Sequence, residues 1–173
     1  MPTLIDKISR SLNEENSEVN RKYWSNYLIS AQVNLDDVKA IIHHPHPIGI
    51  RFSWMLGNLC ALKPGMLAPV FPYFFTNRNN IEIPNFNRSL AKMCVYVELP
   101  EKLEGEIMSA LFEWLADPKV IVTTKHFCLK ALYKLSLKYP EIKSELKLTI
   151  EEQLFKYTKA FDKQLQLTLA LLK

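Results

Sequence analysis

The chain has 173 residues, 48% of them apolar and 23% charged, the balance of a folded domain rather than a disordered segment. At this length folding buries roughly 70% of the unfolded surface, so no disulfide or metal staple is required. Its 22 Lys and Arg against 18 Asp and Glu leave a net charge of +4, short of the charge of a dedicated nucleic-acid binder.

Read from the N-terminus, Met1-Pro2-Thr3-Leu4-Ile5-Asp6-Lys7 has neither the long apolar stretch nor the small-residue site of a secretory signal. Prolines then punctuate the chain at Pro45, Pro47, Pro64, Pro84, Pro100, Pro118 and Pro140, mostly where a first helical turn tolerates the missing N–H. The spacing predicts helices over Thr3–Ser11 and Ser17–Ile29, the second N-capped by Asn16 or Ser17. Asn34 caps Leu35–Ile42, with Asp36 and Asp37 at its positive end. Pro47–Leu62 follows, then Gly65–Phe75, kinked by its two prolines. Thr76–Glu82 is the longest loop. Asn85–Val97, Glu101–Leu115, Lys119–Lys138, Glu141–Tyr157 and Ala160–Leu172 complete the series. No alternating Val/Ile/Thr run closes on Asn-Gly or Asp-Gly, so no hairpin is expected; the fold class is all-α.

The most apolar window, Met66 to Phe75, contains Pro69 and Pro72 and is half the roughly 20 residues a membrane span needs. Cys60, Cys94 and Cys128 are odd in number and lack C-x-x-C spacing, which points to free buried thiols in a reducing, cytoplasmic setting.

The second helices of successive pairs align. Arg51, Arg88, Lys125 and Lys163 open similar apolar blocks and stand 37, 37 and 38 positions apart. The cysteines are spaced 34 and 34 apart, which leaves the register open by one turn. Two helices per 37-residue unit is the signature of an α-solenoid. The expectation is therefore an α-α superhelix of about four helix pairs, a single domain over 1–173 with residues 1–33 as an N-terminal helical cap and 34–173 as repeats. Within Lys119–Lys138, Ile121, Cys128, Leu132 and Leu135 form the apolar stripe, and Lys119, Lys130 and Lys134 lie opposite it. Lys125 falls at the stripe's edge beside Leu129 and Leu132, where its charge must find a partner or reach water.

On these residues the chain resembles the HEAT-like repeat proteins, whose units carry an Asp near the turn and an Arg or Lys on the second helix, stacked into a ladder. Asp117-Pro118-Lys119-Val120 followed by Lys125 matches best; Gly49-Ile50-Arg51-Phe52 and Phe86-Asn87-Arg88-Ser89 match in part. In those two units His44, His46 and Asn85 stand where the Asp would be. The resemblance runs from Asn34 to Leu172 and implies stacked helix pairs, with no particular function.

No phosphate-binding loop, dinucleotide fingerprint, nucleophile elbow or H-E-x-x-H motif is present in the sequence, and no pair of residues is marked out as acid and base. The His43-His44-Pro45-His46-Pro47 cluster reads as an interhelical turn, with metal binding or pH sensing as alternatives. Trp24, Trp54 and Trp114 read as core, with exposure on a concave face as the alternative. The expected function is a non-enzymatic scaffold without cofactor or metal, holding an acidic partner protein or peptide against a groove lined by Arg51, Trp54, Arg88 and Lys125. The alternative is a nucleic-acid-binding module related to alkylpurine DNA glycosylases, tracking phosphates with Lys130, Lys134 and Lys138. Leu165, Leu167, Leu169, Leu171 and Leu172 mark the last helix as a candidate homodimer surface.

Overall fold

The computed structural model describes residues 2–31 and 34–173. Gln32 and Val33, the end of the expected capping segment, lie outside the described residues, as does Met1. All regular structure among the described residues is helical, with eleven α-helices, two 3₁₀ turns and no strand. No described helix is long and apolar enough to cross a membrane. The chain falls into two compact units, Met1–Glu98 and Leu99–Lys173.

The first unit contains α1 (Leu4–Glu14), α2 (Glu18–Ser30), α3 (Leu35–Ile42), α4 (Ile48–Leu62), α5 (Pro64–Leu67), α6 (Phe71–Thr76) and α7 (Phe86–Tyr96). Local chemistry sets the helix starts. Thr3 and Asp6 form a capping box, the Thr3 hydroxyl accepting from the Asp6 N–H at 3.1 Å and the Asp6 carboxylate from the Thr3 N–H at 2.8 Å. Ser17, rather than Asn16, caps α2, and Asn34 caps α3 through the Asp36 N–H. These bonds satisfy amides that the first turn leaves without partners.

Helix α4 is the centre of the unit, and α1, α2, α3, α5 and α7 all pack against it. That requires apolar residues around most of its circumference, and Phe52, Met55, Leu56, Leu59 and Cys60 are fully buried. Each such Leu or Phe contributes about 1.5–3 kcal/mol. Gly49 is required by the turn before it, since a Cβ there would stand 2.5 Å from the His44 carbonyl oxygen.

The segment expected as one kinked helix, Gly65–Phe75, is two short helices, α5 and α6. Pro69 and Pro72 supply no N–H, and Pro72 sits in the first turn of α6, where that loss is free. Two prolines three residues apart break the ladder instead of bending it. Part of the expected Thr76–Glu82 loop is a 3₁₀ turn, Arg78–Asn80. Asn85 then enters α7 from the left-handed region at φ 56°, which Asn tolerates better than most residues.

The second unit holds α8 (Glu101–Ala116), α9 (Val122–Lys138), α10 (Lys143–Gln153) and α11 (Lys159–Leu171). Helix α8 packs along α9, α10 packs on α8 and α11, and α11 packs on α9. Ile107, Leu111, Leu115, Cys128, Leu132, Leu146, Ile150 and Leu165 are fully buried among them. Helix α9 starts three residues later than expected. The Asp117 carboxylate accepts the Lys119 N–H at 2.8 Å in a local turn that competes with helix, so Lys119 belongs to the turn and not to the helix face. Helix α10 likewise ends at Gln153, and Phe155 beyond it has φ 62°.

All three cysteines are free and buried, as the spacing implied. Burial pushes the Cys60 and Cys128 thiols up to about 12, which keeps them from acting as thiolates.

Candidate functional site

In the first unit, helices α2, α4 and α7 present side chains to one pocket of about 290 Å³, the lower end of the range for ligand pockets. Helical spacing explains the lining. Trp54, Gly57 and Asn58 are i, i+3 and i+4 on α4, Arg88 and Lys92 are i and i+4 on α7, and Glu18 and Arg21 are i and i+3 on α2. Each set therefore faces one way.

Trp54 is half-buried and stands among cations. The Arg21 guanidinium carbon lies 5.6 Å from its ring centroid and that of Arg88 6.0 Å, both within cation–π range. Arg21 donates to the Asn16 side-chain oxygen at 2.7 Å, a neutral partner. Among the described residues neither guanidinium has a carboxylate in ion-pair contact. Lys92 lies across α4 and donates to the Asn58 side-chain oxygen at 3.0 Å. Gly57 makes this approach possible, because a Cβ there would stand 3.1 Å from the Lys92 Cδ. Burial holds the Lys92 ammonium below its ordinary value; the Arg88 charge adds to this, and Cys60 opposes it. Ser89 donates to the Ser53 hydroxyl at 3.2 Å and ties α7 to α4. Glu18 is drawn outward to Lys22, 2.8 Å away. The lining carries three positive charges against one negative, and that one is already paired.

The four residues singled out as a groove have different surroundings. Trp54 and Arg88 line this pocket, whereas Arg51 and Lys125 are bound to helix ends. Arg51 donates to the carbonyls of Leu12 at 2.6 Å and Asn13 at 3.0 Å, in the last turn of α1. Lys125 is completely buried. Its ammonium donates to the carbonyls of Leu115 at 2.6 Å, Asp117 at 2.7 Å and Trp114 at 3.4 Å, at the end of α8. Both cations satisfy orphan carbonyls at the negative pole of a helix. The HEAT-like ladder would pair Lys125 with the Asp117 carboxylate; here the nearer bond is to the Asp117 carbonyl, and the carboxylate serves the Lys119 amide.

The α9 lysines also differ from one another. Lys130 and Lys134 are exposed, while Lys138 pairs with both Glu104 carboxylate oxygens at 2.9 and 3.0 Å. The Tyr139 hydroxyl donates to the same carboxylate. These contacts, Tyr139 first, hold the nearly buried Glu104 below the usual carboxylate value.

Trp24 is buried, its ring N–H donating to Ser11 at 2.8 Å, and Trp114 is half-buried. In the histidine cluster, His43 Nε2 meets the Tyr73 hydroxyl at 2.7 Å. Among the described residues no three His, Cys, Asp or Glu side chains stand together as a metal set. On α11, Leu165 is buried and Leu167 and Leu171 are more than half exposed.

Sequence reasoning missed Arg21, Asn58, Ser89 and Lys92. The i, i+4 pairing of Arg88 with Lys92 was legible, but nothing in the sequence brings α2 and α7 to the same side of Trp54. Comparison with protein-family models, with curated proteins and with solved structures finds no match.

Proposed function

We propose that the protein is a non-enzymatic, HEAT-like helical-repeat scaffold of the α-solenoid kind that holds an acidic segment of a partner protein or peptide. The observation that carries this reading is the pocket of Trp54, Arg21, Arg88 and Lys92. Its cationic excess favours a ligand carboxylate, and the indole supplies apolar contact for the chain that bears it. The 37-residue spacing of basic residues supports the repeat reading, and Lys125 of α9 holds the end of its pair partner α8. The binding residues are then Arg21, Trp54, Arg88 and Lys92, with Arg51 and Lys125 supporting the fold.

The alternative, a nucleic-acid module, draws on the exposed Lys130 and Lys134. It is weakened by the pairing of Lys138 with Glu104.

The test is fluorescence polarisation with a labelled Asp/Glu-rich peptide and, separately, a labelled DNA duplex. The scaffold reading expects peptide binding that is lost in the Arg21→Gln/Arg88→Gln double variant. Binding of DNA alone, falling steeply with salt, would move the assignment to nucleic acid.

A further inference from the structure

We infer that the α2–α4–α7 pocket takes a phosphomonoester, a dianion with three acceptor oxygens, carried on the acidic partner. This rests on the acidic-partner reading and names the chemistry of the group recognised.

Charge is the first argument. Arg21, Arg88 and Lys92 converge on one pocket, and its one carboxylate, Glu18, is turned to Lys22. A single carboxylate answers only one of the two guanidinium charges, whereas a phosphomonoester brings close to two negative charges near neutral pH. Burial first, and the Arg88 charge in addition, hold the Lys92 ammonium below its ordinary value.

The donors make the second argument. Two guanidiniums present planar N–H forks suited to phosphoryl oxygens, and they come from different helices, so they approach one group from separate directions. The carbonyl oxygen of the Asn58 side chain is occupied by Lys92, which leaves the amide N–H donors for an acceptor. Ser89 spends its proton on Ser53 and is not counted among them.

Size is the third. A pocket of about 290 Å³ has room for roughly ten waters at liquid volume, more than a phosphoryl group alone occupies. The remainder, walled by the Trp54 ring, accommodates the carbon stem that bears the ester. A phosphodiester is the poorer fit, because it offers one charge per phosphate and depends on a row of cations along the strand.

The test is NMR titration of the full-length protein, following the Arg Nε–H signals and the Trp54 indole N–H. The probes are capped phosphoserine, capped glutamate, a single-stranded DNA oligonucleotide, and phosphatidylcholine vesicles with and without phosphatidic acid. The expected result is that phosphoserine shifts the Arg21, Arg88 and Trp54 signals and binds at least about tenfold more tightly than glutamate. That advantage shrinks from about pH 7.5 to about pH 5.5, as the ester becomes a monoanion. Arg21→Gln and Arg88→Gln should each lose it, and because the wild-type titration is itself decisive, a misfolded variant does not rescue the idea. Equal binding of glutamate and phosphoserine would overturn the dianion inference and leave the acidic-partner reading standing. Silence with both would overturn the two together. A stronger response to the oligonucleotide than to phosphoserine, or one confined to phosphatidic acid vesicles, would overturn the protein-borne ester in favour of nucleic acid or lipid.

Discussion

Among the described residues Lys125 and Glu104 are the charged side chains most nearly withdrawn from water, and each is tolerated for a specific reason. Lys125 ends on three carbonyls at the foot of α8. Lys125→Ala therefore removes the donor and leaves a cavity, and a loss of about 2–5 kcal/mol is expected. Lys125→Met keeps the stem and loses only the donor, with an expected cost of about 1–3 kcal/mol. Urea unfolding checks both; a Met variant as stable as the parent would show that the carbonyls gain nothing from the ammonium. Glu104 is held below its unfolded value of 4.5, first by Tyr139 and then by Lys138. A carboxylate depressed in the folded state binds its proton more readily when unfolded, so its contribution is complete above that value and fades as pH falls through the lower folded one. Glu104→Gln should therefore flatten the acid limb of a stability–pH curve. An unchanged limb would show that other carboxylates govern it.

At the scale of elements, Arg51 links α4 to the last turn of α1, a helix outside its expected repeat pair. Arg51→Ala should cost about 1 kcal/mol and raise amide exchange chiefly in α1. Exchange rising equally along α4 would argue against a local cap. The two helical glycines of α4 respond differently to substitution. Gly49→Ala drives a Cβ against a backbone oxygen at 2.5 Å, and the α3–α4 turn must shift, at a cost of about 1–3 kcal/mol or more. Gly57→Ala meets only the flexible Lys92 stem at 3.1 Å. Helix propensity favours Ala by about 1 kcal/mol, so α4 should hold or gain stability while the Lys92–Asn58 bond is disturbed. Thermal melts of the two variants should thus move in opposite directions.

For the molecule as a whole, net charge is the property that most easily imitates a specific site. The pair Arg21→Glu and Arg88→Glu lowers the charge from +4 to 0, since each reversal removes two units. Lys130→Glu with Lys163→Glu makes the same change at exposed positions on other helices. If the pocket binds, the first pair abolishes capture of an acidic peptide and the second leaves it within about threefold, because neither lysine lines the pocket and exposed charges are screened by salt. Equal loss in both would assign the binding to overall charge. Salt dependence of the peptide affinity, measured alongside, separates the two again.

The all-helical class, the order of the helices and most of their limits were readable in the sequence, because caps, prolines and apolar spacing act within a few residues. Leu35–Ile42 with its Asn34 cap is recovered in full. Some misplaced limits fall where a nearby side chain competes with the helix, as Asp117 does at α9, or where prolines stand close enough to break it, as at α5 and α6; α1 instead runs on to Glu14, past the expected Ser11, and α10 stops at Gln153, short of Tyr157. The angle of Lys125 on its helix placed its charge at the edge of the apolar stripe and in need of a partner or water; its complete burial on three carbonyls came from packing. What the spacing could not decide was the task of each equivalent cation. Arg51, Arg88, Lys125 and Lys163 look alike along the chain, yet two cap helices, one flanks Trp54 and one is exposed. Local sequence determines which face of a helix a residue occupies. Only tertiary packing decides what that face meets, and the meeting of α2, α4 and α7 around Trp54 is what gathers Arg21, Arg88 and Lys92 at one pocket.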